Sequence, residues 1–259
     1  MITSTSSGQV KHVLLIQKKS KARKEFQEFV VEGIKMVEEA PKDRIVKVYA
    51  SETFLKNNKE YIDGLKLNDG QVEAVSDHIF LHMSDTQTPQ GVMALVKMRK
   101  YDIDDIYGEN ALIIGIENLQ DPGNLGTIVR MGEGAGVTGF VISSNAVDIY
   151  NPKTIRSTMG SIYRMPFVYA DDFADEIRKL KENGVKVYAA HLKGKCDYTE
   201  ADYTKPAAFL IGNEGNGLTD MAAQTADTLI KIPMKGSVES LNAAIACTIL
   251  TYEAVRQRK

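Results

Sequence analysis

Residues 209–246 read FLIGNEGNGLTDMAAQTADTLIKIPMKGSVESLNAAIA, and they set the expectations for the whole chain. The apolar run Ala207–Ile211 predicts a buried strand. A Gly/Asn loop and a short helix follow, then a second apolar strand over Leu229–Ile232 and a long helix expected to open at Ser240. Each strand runs into a polar loop, Gly212-Asn213-Glu214-Gly215-Asn216-Gly217 after the first, and Lys235-Gly236-Ser237 with Ser240-Leu241-Asn242 after the second. Open α/β sheets take ligands at the carboxyl ends of their strands, so chemistry is expected in these loops. Glycine lets backbone approach a ligand closely, and a helix start offers unpaired N–H donors.

A similar unit lies upstream. Ala111–Glu117 (ALIIGIE) is a continuous apolar strand, the mark of a parallel sheet covered on both faces. The loop NLQDPGNL follows, with Asn124 at a predicted helix N-cap and Arg130 six residues further on, inside a helix that ends near Gly134. No GxGxxG opens that helix and no GxxxxGK[ST] occurs, which sets aside the dinucleotide fingerprint and the P-loop. Gly132, Gly134 and Gly136 serve close packing and a C-cap. A guanidinium on an otherwise apolar, small helix face calls for an anion, either an acid such as Glu117 or Glu214 or a ligand.

Working outward, Phe140–Ser143, Arg164–Tyr169 and Val185–His191 predict further strands, and Pro152–Met159 and Asp171–Asn183 predict helices. Before residue 99, strands over Phe29–Glu32, Arg44–Ala50, Val72–Val75 and Gly91–Lys97 alternate with helical patterns, which predicts a small α/β domain with a largely parallel sheet. Residues 1–10, rich in Ser and Thr, are expected to fray. The charged, apolar-poor stretch Arg99–Asn110 reads as a linker. The expected organisation is a first domain over 1–98, a linker over 99–110 and a second domain over 111–259.

With 259 residues, 43% of them hydrophobic and 25% charged, the chain has the composition of an ordinary globular protein, and no apolar run reaches membrane-spanning length. Two cysteines without a CxxC pattern suit a reducing cytoplasm. His78 and His82 stand four apart with no third ligand near, so no metal is expected. A net charge of −2 does not announce a nucleic-acid partner. Locally, however, Lys11, Lys18, Lys19, Lys21, Arg23 and Lys24 precede any acid until Glu25, a patch able to hold phosphates.

Three of these segments together resemble a known family. Asn124-Leu125-Gly126-Thr127-Ile128-Val129-Arg130, Ile211–Leu218, and Ile232-Pro233-Met234 with Ser240-Leu241-Asn242 resemble, in order and spacing, the signature motifs of SpoU-type (TrmH-like, SPOUT superfamily) RNA ribose 2'-O-methyltransferases. Asn151-Pro152-Lys153 and Gly160–Pro166 look like the segment between the first two motifs. Phe29–Gly33 and Thr88–Gly91 look like the small RNA-binding domain, related in fold to ribosomal proteins, that precedes many members. The resemblance implies an α/β catalytic domain closed by a C-terminal trefoil knot and working as a homodimer. It also implies S-adenosyl-L-methionine held by backbone around Gly212, Ile232, Met234 and Leu241. Asn124, Arg130, Glu214, Ser240 and Asn242 match the polar positions of the family's active site.

Methyl transfer to a 2'-hydroxyl is an in-line displacement at a sulfonium methyl and requires neither a metal nor a covalent intermediate. The site must orient the hydroxyl, remove its proton and hold the neighbouring phosphate. Arg130 is read as positioning RNA and stabilising the developing alkoxide, because a guanidinium has no lone pair to accept a proton as a base does. Glu214 is placed to pair with Arg130, Asn124 and Asn242 to hydrogen-bond ribose or backbone, and Ser240 to cap the last helix. Lys18, Lys19, Lys21, Arg23 and Lys24 are the candidate RNA contacts. Ribosomal (23S) RNA is the expected substrate, with tRNA as the alternative; a non-catalytic RNA-binding or assembly factor on the same fold is the rival from another class.

Overall fold

The computed structural model describes residues 1–259, which form two compact units, one of residues 1–100 with 148–163 and one of residues 101–147 with 164–259.

The first unit carries a four-stranded sheet of β1 (Glu28–Glu32), β2 (Ile45–Ser51), β3 (Val72–Val75) and β4 (Val92–Lys97), in the order β1-β4-β2-β3. Its helices are α1 (Gly8–Lys18), α2 (Ser20–Phe26), α3 (Ile34–Glu38), α4 (Glu52–Asn57), α5 (Lys59–Gly64) and α6 (Asp77–Met83). The alternation of strands and helices suggests parallel pairing, but only β2 and β3 run parallel. The β4 strand enters between β1 and β2 antiparallel to both, a pairing between distant segments that no local pattern reports. Val10, Val13 and Ile16 of α1 and Ile79, Phe80 and Met83 of α6 bury one face of this sheet.

Residues 1–10 do not fray. The amide of Ile2 donates to Ala74 O and its carbonyl accepts from Ser76 N, extending the sheet edge, and α1 begins at Gly8. Residues 148–163, with α8 over Pro152–Thr158, also pack in this unit. The Phe29 ring lies 4.7 Å from that of Tyr150, and Tyr163 Oη donates to Met36 O at 2.7 Å.

The second unit is a seven-stranded, wholly parallel sheet. Its strands are β5 (Leu112–Ile116), β6 (Gly139–Ser143), β7 (Phe167–Ala170), β8 (Lys186–Ala190), β9 (Cys196–Asp197), β10 (Ala207–Ile211) and β11 (Thr228–Lys231), in the order β7-β6-β5-β10-β8-β11-β9. The fully buried β5 and β10 lie side by side at its centre. The helix α9 (Phe173–Glu182) presses Phe173 and Ile177 against Gly115, where a Cβ would sit 2.6 Å from Leu210 Cδ2. With α10 (Asp220–Thr225) it covers the face carrying Val141, Val187 and Leu210.

Phe140 points to the opposite face by strand alternation. There Gly132 of α7 (Pro122–Ala135) lies close enough for an added Cβ to meet the Phe140 ring at 2.5 Å, and Gly136, at φ 75°, closes that helix. The last helix, α11 (Ala243–Gln257), runs beside α7, the Cβ position of Gly134 being 3.7 Å from Tyr252 Oη. Within the stretch 99–110, Ile103–Ile106 form one 3-10 turn whose Ile106 is fully buried against Gly139. The penultimate residue, Arg258, donates to the carbonyls of Asn110, Ala111, Tyr203 and Lys205, tying the C-terminus to the segments that enter β5 and β10. Burial pushes the Cys247 thiol on α11 up to about 12, and Cys247 and Cys196 are both free. No helix is long and apolar enough to cross a membrane.

Candidate active site

The loops that leave β5, β10 and β11 meet through hydrogen-bonding side chains. Asp121 caps α7, its Oδ1 accepting from Asn124 N at 2.7 Å, and Pro122 is the first helical residue. Asn124 is therefore not the cap the sequence suggests. As the third residue of the helix it turns its amide toward the other two loops: Nδ2 donates to Glu214 Oε1 at 3.1 Å, and Oδ1 accepts from Asn242 Nδ2 at 2.9 Å.

Asn242 performs a second duty. Its Oδ1 accepts from Ala244 N at 2.9 Å and Ile245 N at 3.3 Å, making it the N-cap of α11. Ser240, expected in that place, lies two residues outside, exposed and without a hydrogen bond, because α11 begins at Ala243 rather than at Ser240.

Glu214 does not pair with Arg130. Its Oε1 also accepts from Asp121 N at 3.0 Å, and its Oε2 accepts from Gln120 N at 3.2 Å. Partial burial raises its pKa, and the hydrogen bonds from Asn124 and the backbone more than offset this, leaving it below the usual value of 4.5. Glu117, the other acid suggested as a partner for Arg130, instead accepts from Thr219 N and Oγ1 at 2.8 and 2.7 Å. Arg130 is exposed and forms no ion pair or hydrogen bond. It stands six residues beyond Asn124, about 9 Å along α7 and about 120° around it, so the Asn124–Glu214–Asn242 chain does not include it.

Sequence reasoning passed over the residues that hold these loops in place. Asn118, at φ 53°, accepts at its carbonyl from Asn213 Nδ2 (2.9 Å) and is tied to Ser143 through its amide (2.8 Å). Asn213 Oδ1 accepts from the amides of Gly215 and Asn216. Asparagine tolerates the left-handed region, so an Asn directly after a buried strand was the available signal. Gly212 is locked by its own loop, since a Cβ there would sit 2.2 Å from the carbonyl carbon of Gly217.

From Pro233 to Leu241 the backbone makes no hydrogen bond within the chain. This run of uncommitted amides and carbonyls is flanked by the half-buried apolar side chains of Ile232, Met234 and Leu241. Such a donor and acceptor set beside apolar surface fits the adenosine and methionine parts of S-adenosylmethionine. No group of three or more His, Cys, Asp or Glu side chains gathers that could hold a metal ion.

The basic run lies in the first unit, on α1 and α2. Lys18, Lys19, Lys21 and Lys24 are exposed. Arg23 is not: at 4% exposure it donates to Asp148 Oδ2 (2.9 and 2.7 Å) and to the carbonyls of Ile16 and Gln17 (2.8 and 2.9 Å). Its guanidinium is a structural tie between α1, α2 and residue 148, not a phosphate contact.

Comparison with known proteins bears on the whole chain. The family described as "SpoU rRNA Methylase family" matches residues 111–252, and "MRM3-like substrate binding domain" matches residues 8–94. The 23S rRNA (guanosine(2553)-2'-O)-methyltransferase RlmP of Bacillus subtilis is 33% identical over 235 residues, which is 90% of this chain and 90% of that protein. The 23S rRNA (uridine(2479)-2'-O)-methyltransferase of Streptomyces viridochromogenes is 36% identical over 178 residues, 66% of this chain and 62% of that relative's length. Among solved structures, the SpoU methyltransferase AviRb from Streptomyces viridochromogenes, in complex with the cofactor AdoMet, matches with a TM-score of 0.87 at 28% identity, covering 97% of this chain and 98% of that one.

Proposed function

The chain belongs to the SpoU rRNA methylase family, and on that premise we propose that it transfers a methyl group from S-adenosylmethionine to a ribose 2'-hydroxyl of 23S ribosomal RNA. The observation that carries the reading is the hydrogen-bonded chain Glu214–Asn124–Asn242, which draws three sequence-distant loops to one place.

S-adenosylmethionine supplies a sulfonium methyl, and the backbone of residues 233–241, with Gly212, Ile232, Met234 and Leu241 beside it, is the part of this chain suited to hold it. Glu214 fixes the orientation of the Asn124 amide, because a carboxylate only accepts. The Asn124 carbonyl oxygen in turn fixes Asn242. Each asparagine has committed one N–H of its amide and keeps the second for a ribose or phosphate oxygen. The Arg130 guanidinium supplies electrostatic stabilisation to the developing alkoxide or holds the adjoining phosphate. The proton then passes to a phosphate oxygen or water, since arginine is not a base.

A homodimer is the proposed state, and exposed residues of α7 and α11 support it. Arg130 lies on the exposed side of α7, and the neighbouring α11 presents Ile245 (54% exposed) and Tyr252 (47% exposed) to solvent. A second copy packed on that side would cover Arg130, Ile245 and Tyr252 together. The trefoil knot is supported by the insertion of β10 between β5 and β8 and by the return of α11 beside α7. The cytoplasm is the proposed setting.

The deciding experiment incubates the protein and tritiated S-adenosylmethionine with protein-free 23S rRNA, 16S rRNA and bulk tRNA, then maps 2'-O-methyl positions. Label at one position of 23S rRNA is expected. Label only in tRNA would transfer the assignment to tRNA, and cofactor binding without transfer to any RNA would leave a non-catalytic factor.

A further inference from the structure

The first unit displays an aromatic ring that its own packing does not require. Phe26, the last residue of α2, is 46% exposed. Its ring meets that of His12 with centroids 4.8 Å apart and planes at 89°, and His12 is braced by Glu28, Nε2 to Oε2 2.8 Å. The phenyl group is thus held without being covered. On α1, Lys11, Leu15 and Lys18 follow one another at i, i+4 and i+7 and share a stripe next to His12. Leu15 is 41% exposed, and both lysines are exposed.

What marks this surface is the density of cations beside an exposed ring, six basic residues between Lys11 and Lys24 with no acid among them. Neither Lys11, Lys18, Lys19, Lys21 nor Lys24 forms an ion pair with an acid, whereas Lys35 pairs with Glu39 and Arg156 with Asp85. Unpaired cations around one exposed aromatic ring and an exposed leucine fit a polyanion whose own flat apolar faces are open, which describes unpaired RNA. A folded protein partner would cover Phe26 and Leu15 equally well, but would have to bring a matching set of carboxylates to these lysines.

On the reading that this chain modifies RNA, we infer that Phe26 is a stacking platform for an unpaired base of the substrate. His12 fixes the ring, and Lys11 and Lys18 hold flanking phosphates. Every base has a π-face, so this contact selects for single-stranded nucleotides and not for a sequence. Phe26 is a substrate-positioning residue and takes no part in the methyl transfer.

The chain contains no tryptophan, so Phe26→Trp installs a single fluorescent reporter. The variant is titrated with single-stranded oligoadenylate and with an RNA duplex of the same length at one salt concentration. Quenching by the single strand and none by the duplex is expected. Phe26→Ala is expected to lose about tenfold in affinity for the single strand and to raise KM for 23S rRNA by a similar factor, with kcat and duplex affinity unchanged. Phe26→Leu, which keeps apolar bulk against His12 but has no ring, is expected to behave like the alanine variant.

Wild-type affinity in Phe26→Leu would overturn the proposal, leaving Phe26 a packing residue. So would an unquenched tryptophan in a complex that anisotropy of labelled RNA shows to be formed, or a change of sedimentation in Phe26→Ala, the sign of a protein interface. If the wild type methylates rRNA while KM of Phe26→Ala is unchanged, the platform alone fails. If the wild type transfers no methyl to any RNA, the platform fails together with the reading beneath it.

Discussion

Asn242 Nδ2 donates to Asn124 Oδ1 at 2.9 Å, joining residues 118 positions apart in the chain. The same Asn242 side chain caps α11, so its carbonyl oxygen and its amide nitrogen serve separable purposes. Asn242→Asp keeps a cap acceptor but removes the donor and sets a negative charge near Glu214. Single-turnover methyl transfer is expected to fall about 100-fold, the usual loss for one preorganised donor, while thermal unfolding stays near wild type. Asn242→Ala is expected to lose the activity and, in addition, about 1 kcal/mol of stability with the cap.

Glu214 is held as a carboxylate by the groups that donate to it. Because its pKa is depressed in the folded chain, it contributes stability in full above the unfolded value of 4.5 and loses it as pH falls below that value. In Glu214→Gln, unfolding midpoints measured across acid pH should show a shallower decline below that point. Activity should also drop at neutral pH, where the glutamine no longer dictates which way the Asn124 amide faces.

Arg130 contributes nothing to packing that the structure records. Arg130→Lys is expected to unfold within about 0.5 kcal/mol of wild type, as exposed substitutions do, yet to lose kcat by roughly 100-fold because a point charge does not replace a planar fork. A wild-type kcat across the pH–rate profile would remove the guanidinium from the mechanism.

Gly212 sits where any side chain would strike backbone, with Cβ 2.2 Å from the carbonyl carbon of Gly217. Gly212→Ala must open the 213–217 turn to fold at all. Isothermal calorimetry should register loss of S-adenosylmethionine binding, and the variant should unfold at a lower temperature than wild type.

The basic run divides into one structural cation and several free ones. Asp148→Ala leaves the buried Arg23 charge without its partner and is expected to destabilise the chain by about 3 kcal/mol. Lys21→Ala should leave stability unchanged, weaken RNA binding and lower the salt dependence of that binding by about one unit of slope. Chemical denaturation and RNA titration at several salt concentrations distinguish the two classes.

Much of the second unit was legible because its signals are local. The strand Ala207–Ile211 was readable to the residue, and β5 within one residue at each end, because buried parallel strands are unbroken apolar runs. What failed was choice among neighbours. Asp121-Pro122 is the stronger start signal for α7, cap followed by a first-turn proline, but Asn124 three residues on carries the same chemistry. Ser240 and Asn242 posed the same ambiguity for α11, and only the position of Asn124 across the gap decides it. The antiparallel insertion of β4 and the tie of Ile2 to the sheet edge depend on segments far along the chain, which periodicity cannot report. Arg23 was misread for another reason: a run of cations does not say which one points inward, although Ala22 beside it hinted at the buried face of α2.

The position of β10 has a consequence for how the protein is made. During vectorial synthesis β5 through β8 are made before residues 207–211 exist, so the two strands destined to flank β10 cannot join without closing its seat. A chain ended before Ala207 holds the half-sheet β7-β6-β5 and a β8 that lacks both of its neighbours, since β11 as well as β10 is still to come; bare edges of this kind invite mispairing until residues 207–231 arrive. Biogenesis of this domain therefore depends on keeping that seam apart long enough to receive its central strand.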